Sequence, residues 1–180
     1  QKANDVGAYS ARAHTYDQLR QYQSALSDYS QAVQLAPKNV EVLTDRADVY
    51  ANLGYWRQAA EDYRQAVKLD NTYGRAFMGA AWVMATCPHE QYRDAQLAID
   101  SAEKAIELDG DADWRYLDTL AAAYANAGKY EQAQQAANKA IAKAPEQQQT
   151  ALKSRQQLFA DGKPFRDVAR TASNESGANR

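Results

Sequence analysis

The sequence predicts an all-α solenoid of four helix–turn–helix repeats, the third carrying a five-residue insertion, followed by a C-terminal capping helix. Two observations predict it. A frame of alanines and aromatics (Ala13, Tyr16, Ala25, Tyr29, Ala32, Pro37) returns 34 residues later as Ala47, Tyr50, Ala59, Tyr63 and Ala66, with Asn71 in place of the proline. It returns again as Ala81, Met84, Ala98, Ala102 and Ala105, then as Ala121, Tyr124, Ala133, Ala137, Ala140 and Pro145. A fixed period of this size means stacked supersecondary units, none able to bury its apolar face alone.

Each repeat justifies its own elements. The first, about 6–39, and the second, about 40–73, place alanine where two helices must approach closely and tyrosine one turn away, filling the space left. Gly54 and Gly128 mark the turn between paired helices, where positive φ is needed, and Arg20 holds that place in the first repeat. Pro37 and Pro145 follow second helices, where a missing N–H costs little. The third repeat, about 74–113, gains Pro88, His89, Glu90, Gln91 and Tyr92, with Pro88 stopping the helix before them. The fourth covers about 114–145.

A one-sided helix is expected over about 146–160, with Leu152, Leu158 and Phe159 on one stripe to cover the last apolar face. These elements form a single solenoid domain over 1–160, and 161–180 reads as a polar tail, expected to be disordered. No comparable cap precedes Val6, so another domain or a partner is expected to cover the first repeat. Gln1 opens the chain without a signal peptide, which implies a removed leader or a piece of a longer protein.

Hydrophobic residues make up 45% of 180, enough for a continuous core, and 8 glycines and 4 prolines are too few for a loop-rich fold. No run reaches the roughly 20 apolar residues that cross a bilayer. A soluble protein of the cytoplasm or periplasm is expected. A formal net charge of −2 argues against a nucleic-acid binder that works by neutralising phosphates. The single cysteine excludes an internal disulfide.

Catalytic readings find little support. His14 and His89 stand in different repeats without ligand spacing, so neither a metal nor a cofactor site is expected. Cys87 has no neighbouring histidine and reads as a buried thiol. Asp45 and Asp48 lie one helical turn apart, the geometry of paired carboxylates, yet such pairs are usually a solvated face. No enzyme is expected.

The alanine and aromatic frame, its turns and its 34-residue period resemble the tetratricopeptide repeat (TPR) family over roughly residues 6–145. The family often has an early tryptophan in its first helices; Tyr9, Leu43, Phe77 and Leu117 stand there instead. The Ala-Thr-Cys-Pro segment and the Arg-Asp turn after it are similar to bacterial members and suggest a bacterial source. The resemblance implies that first helices line a concave groove. Its residues would be Ser10, His14 and Asp17, then Thr44, Asp45, Asp48 and Asn52, then Arg75, Met78 and Trp82, then Arg115, Asp118, Ala122 and Asn126. The groove would run from acidic to mixed and partly aromatic, suiting an extended peptide or helix with basic character.

Relatives that hold chaperone C-terminal tails clamp the carboxylate with lysine, arginine and asparagine. Here Ser10, His14, Asp45, Arg75 and Gly79 stand at those places, and only Arg75 has the right charge. That ligand is not expected. Trp56 and Trp114 read as packing residues. Trp82 faces the groove in the repeat frame, either as a binding anchor or covered by the inserted loop. The leading functional reading is a non-catalytic scaffold for a protein or peptide partner. The second is an accessory domain of a larger enzyme or signalling protein, docked on its parent chain.

Overall fold

The computed structural model describes residues 5–168. Among them are nine α-helices and no strand: α1 (Val6–Gln18), α2 (Tyr22–Leu35), α3 (Val40–Asn52), α4 (Trp56–Leu69), α5 (Gly74–Thr86), α6 (Ala95–Asp109), α7 (Trp114–Asn126), α8 (Tyr130–Lys143) and α9 (Glu146–Ala160). The class is the α-solenoid of helical pairs, with the expected capping helix. The inserted loop carries a single 3₁₀ turn, Glu90–Tyr92. The chain divides into two compact units between Ala76 and Phe77, inside α5, the second unit running Phe77–Asp167.

Alanine sets the helix spacing in both units. Ala13, Ala25, Ala32, Ala47, Ala59 and Ala66 in the first unit are all 0% exposed, as are Ala81, Ala98, Ala105, Ala121, Ala133 and Ala140 in the second. In the first unit α1 packs on α2, α2 on α3 and α3 on α4. Tyr29 and Tyr22 complete a core with Val42, Val49 and Leu53. In the second unit α6 packs on α7, α7 on α8 and α8 on α9. Phe159 and Leu152 of α9 are 0% and 1% exposed, so the cap buries its stripe against α7 and α8. Trp56 is 4% exposed, and half-buried Trp114 packs against the cluster of Leu117, Ala140, Ala144 and Leu152, so both are packing residues.

The turns repeat one backbone device. After α1, α3 and α7 a residue with positive φ (Arg20 at 58°, Gly54 at 77°, Gly128 at 74°) lets the next N–H bond back into the helix: Gln21 to Tyr16, Tyr55 to Tyr50, Lys129 to Tyr124. This is the Schellman arrangement that satisfies orphan carbonyls at a helix end. It occurs a fourth time after α9, where Gly162 has φ 69° and the Lys163 N–H bonds to the Leu158 carbonyl.

The expected tail therefore needs a correction. Residues 161–168 are part of the described structure, turned back by Gly162, and Pro164, Phe165, Arg166 and Asp167 are half-buried. Positions 169–180 of that expectation lie outside the described residues. Despite the polar composition, Asp161-Gly162-Lys163 repeats the Ala127-Gly128-Lys129 turn and so sends the chain back.

Arg20 is the non-glycine residue with positive φ among those described, and this conformation costs a side-chain-bearing residue about 1–2 kcal/mol. Arg20→Gly relieves that strain and loses part of the gain to unfolded-chain entropy. The variant is expected to be more stable by up to about 1 kcal/mol, read as a higher urea midpoint with an unchanged slope.

Candidate functional site

The first unit gathers charge around one buried ring. Tyr29 is 2% exposed, and Asp45, Asp17, Arg75 and Asp48 all act on its hydroxyl, which burial and the carboxylates push well above the usual phenol range. Arg75, at the start of α5, bridges two of these carboxylates: its Nη1 lies 2.6 Å from Asp45 Oδ1 and its Nη2 2.5 Å from Asp48 Oδ2. The hydroxyl of Tyr63, 3% exposed, donates to the other oxygen of Asp48. Burial raises the Asp48 carboxyl, while Arg75 and Tyr63 pull it down.

Asp45 and Asp48 are thus not a bare acidic face, because a guanidinium ties them together. Three carboxylates still face one guanidinium there, so the surface keeps an acidic balance. Thr44, expected in the groove, is 0% exposed and donates to the Val40 carbonyl. His14 is exposed and hydrogen-bonded to Gln18 at 2.9 Å. Asn52 is half-buried at the end of α3.

Beside this cluster the unit repeats an ion pair that the alanine frame did not bring out. Arg12 holds Asp28 with Nε–Oδ2 at 2.6 Å, and 34 residues on Arg46 holds Asp62 at 2.7 Å. Both aspartates are 6% exposed and bound by two parallel hydrogen bonds. The signal was present as an Arg and Asp 16 apart in consecutive repeats. In the third and fourth repeats Ala80 with Ser101, and Leu120 with Ala136, replace them.

In the second unit the predicted groove residues meet the chain's own C-terminal part. Trp82 is half-buried, and Phe165 and Asp167 lie against it. Its ring lies 5.9 Å from that of Phe165, and its Nε1 donates to Asp167 Oδ2 at 2.8 Å. Arg155 of α9 places its guanidinium 5.7 Å from the Trp82 ring and 5.4 Å from the Phe165 ring. The same guanidinium grips Asp118, with Nε–Oδ1 at 3.0 Å and Nη2–Oδ2 at 2.6 Å.

Asp118 is therefore not an open groove residue: it is 5% exposed, and burial raises its carboxyl against the pull of Arg155. Asn126 accepts from Arg166 Nη2 at 3.0 Å. Arg115 turns away, bonding Asp113 at the start of its own helix. Ala122 is 2% exposed, and Met78 is half-buried on α5.

The C-terminal end of α5 explains why this segment settles there. Pro88 stops the helix, and its last carbonyls need donors. Arg166 Nη1 reaches the Ala85 carbonyl at 3.0 Å and the Asp167 N–H reaches that of Thr86 at 2.9 Å. Arg93 of the inserted loop takes the Cys87 and Pro88 carbonyls at 3.0 Å each. Two arginines at the negative end of a helix are also favoured by its dipole. Arg155, Phe165, Arg166 and Asp167 escaped the sequence reading because it looked for groove residues only on first helices.

The catalytic candidates stay apart. Cys87 is 0% exposed, and burial pushes its thiol up, away from the reactive thiolate. Among the described residues no group of histidine, cysteine and carboxylate side chains could hold a metal ion. No described helix is long and apolar enough to cross a membrane.

Two outcomes are expected. Cys87 resists alkylation at neutral pH until the protein unfolds; labelling at the rate of a free thiol under native conditions would contradict its burial. Arg155→Met strands a buried carboxylate at Asp118 and costs about 3–5 kcal/mol at neutral pH. Without its partner the carboxyl rises further above its unfolded value, so its penalty is absent below the unfolded pKa, grows as pH rises from there and is complete above the folded one. The difference from wild type in urea unfolding is therefore expected to shrink on acidification.

Comparison with known proteins agrees with the repeat fold. Tetratricopeptide repeat sequence profiles match residues 6–39, 40–73 and 115–147, together more than half of the chain. No curated protein sequence matches it. Among solved structures it is similar to TTC0263, a thermophilic TPR protein of Thermus thermophilus, with 20% identity, TM-score 0.68, and 89% of this chain and 82% of that one covered. YrrB, a TPR protein with an unusual peptide-binding site, gives 16% identity, TM-score 0.61, and coverage of 89% and 80%. The first TPR of Spaghetti (RPAP3), bound to the HSP90 peptide SRMEEVD, gives 19% identity, TM-score 0.57, and coverage of 66% and 90%. With its repeat frame, its buried alanines and these profiles, the chain belongs to the tetratricopeptide repeat family.

Proposed function

We propose that the chain is a non-catalytic interaction module that holds an extended or helical segment of a protein partner on its first-helix faces. One observation carries this reading: the packing positions are constant, while the positions beside them diverge. Ala13, Ala47, Ala81 and Ala121 are all 0% exposed, and their neighbours in the chain are His14, Asp48, Trp82 and Ala122. Packing demands one residue type at the first set and does not dictate the type at the second. The domain in this proposal is the repeat region 6–145 with the cap over 146–160, and a bacterial source belongs to the same proposal.

On the first unit the ligand is a segment with basic side chains. Asp17, Asp45 and Asp48 outnumber Arg75 around Tyr29, and a surface of one sign steers oppositely charged partners. A chaperone-type terminal carboxylate fits poorly, because Arg75 is already engaged by two aspartates. Asp48 holds Tyr63, so the charge test spares it. Selection from a displayed peptide library is expected to enrich lysine and arginine. With a selected peptide, the Asp17→Asn, Asp45→Asn double variant should associate more slowly and with a flatter salt dependence, read by surface plasmon resonance. Enrichment of no basic motif, or association rates equal to wild type across the salt series, would overturn this reading.

A further inference from the structure

We propose that the first-helix face of the second unit is a recognition site for a segment of another protein that presents an aromatic side chain, an arginine and a carboxylate in succession. Phe165, Arg166 and Asp167 keep it closed in the free chain. The proposal rests on the interaction reading above, and it names the ligand chemistry of one face.

The contacts assign the three positions. The aromatic position stacks on Trp82 and lies under the Arg155 guanidinium, a cationic and aromatic slot that a small side chain would leave empty. The arginine position reaches two acceptors fixed by the fold, the Ala85 carbonyl at the end of α5 and the Asn126 side chain, both at 3.0 Å. A helix C-terminus favours a cation there. The carboxylate position takes the indole N–H of Trp82 at 2.8 Å. One backbone bond, Asp167 N–H to the Thr86 carbonyl at 2.9 Å, fixes the direction of the segment. Recognition is therefore borne mostly by side chains, so the face reads sequence more than backbone.

The repeat does not dictate an indole at the place of Trp82, whereas the amide of Asn126 recurs as Asn52. At the place of Trp82 the other repeats hold His14, Asp48 and Ala122, and at the place of Asn126 they hold Gln18, Asn52 and Thr86. The occupant is a short irregular segment whose aromatic side chain also packs beside the core of α7, α8 and α9. Residues 163–168 form no helix or strand, stay half-buried at 164–167, and hang from α9 by the Gly162 turn. A short tether presents such a segment at an effective concentration in the millimolar range, which a partner with additional contacts can exceed.

The test uses the full chain and a labelled, N-acetylated heptapeptide of residues 162–168, Gly-Lys-Pro-Phe-Arg-Asp-Val, followed by fluorescence anisotropy. Phe165→Ala with Asp167→Ala removes two of the three seated side chains and opens the face. The opened chain is expected to bind the peptide at least about tenfold more tightly than wild type. A peptide with alanine for the arginine, or with the three side chains scrambled, should lose about tenfold. Trp82→Phe in the opened chain keeps a ring and removes only the indole donor, so it should weaken the peptide while helix content stays unchanged.

Equal binding by opened and wild-type chains would overturn the proposal. So would loss of helix content in the double variant, because the segment would then be core rather than occupant. A wild-type chain that elutes as a dimer, dissociated by the double variant, would assign the face to a second copy and also overturn it. The Asp17 and Asp45 series reports on the first unit alone, so failure there and failure here are separately visible.

Discussion

Close approach of helices at alanine is the constraint on which the rest depends. Twelve frame alanines are 0% exposed, and each stands where any larger side chain would force two helices apart. Overpacking of this kind typically costs about 1–3 kcal/mol per site. Because alanine contributes little area, the cohesion comes from what the close spacing lets in: Tyr29 and Tyr63 in the first unit, Phe159 and Leu152 in the second. The helix pairs, their turns and the capping helix follow from that spacing.

The same constraint divides the chain's labour. One stripe of each first helix is fixed by packing, and the adjacent stripe carries residues that packing does not require. In the first unit these residues form a charge cluster centred on Tyr29, in which Arg75 ties Asp45 to Asp48 and Tyr63 holds Asp48 from below. In the second unit they receive part of the chain itself. Both arrangements use a buried or half-buried aromatic as the floor and charged groups as the fittings.

The fold was legible because its cause is periodic. Alanine at a helix crossing and glycine at a left-handed turn are local demands that the sequence displays directly, the first-helix alanine recurring at 34 residues through the first three repeats and at 40 across the insertion. The first-helix residues were also legible as a set. Their partners were less so: Arg75 was counted as an independent groove residue, although it neutralises two others, and Asp118 was counted as open, although Arg155 from 37 residues further on buries it. Such pairings join residues in no fixed register with the repeat. The seating of residues 165–167 was hidden for the same reason, since Phe165 meets Trp82 from outside the repeats altogether.

The central claim is that Trp82 is engaged by the segment after α9 and by its charge. Its indole N–H, donated to Asp167, is expected to give a proton resonance distinct from those of Trp56 and Trp114. In a heteronuclear NMR spectrum of the full chain, Asp167→Asn is expected to move the Trp82 indole signal strongly and leave the other two in place. Nuclear Overhauser contacts between Trp82 and Phe165 should accompany the wild-type position. A Trp82 signal indifferent to Asp167→Asn, with no contact to Phe165, would contradict the account.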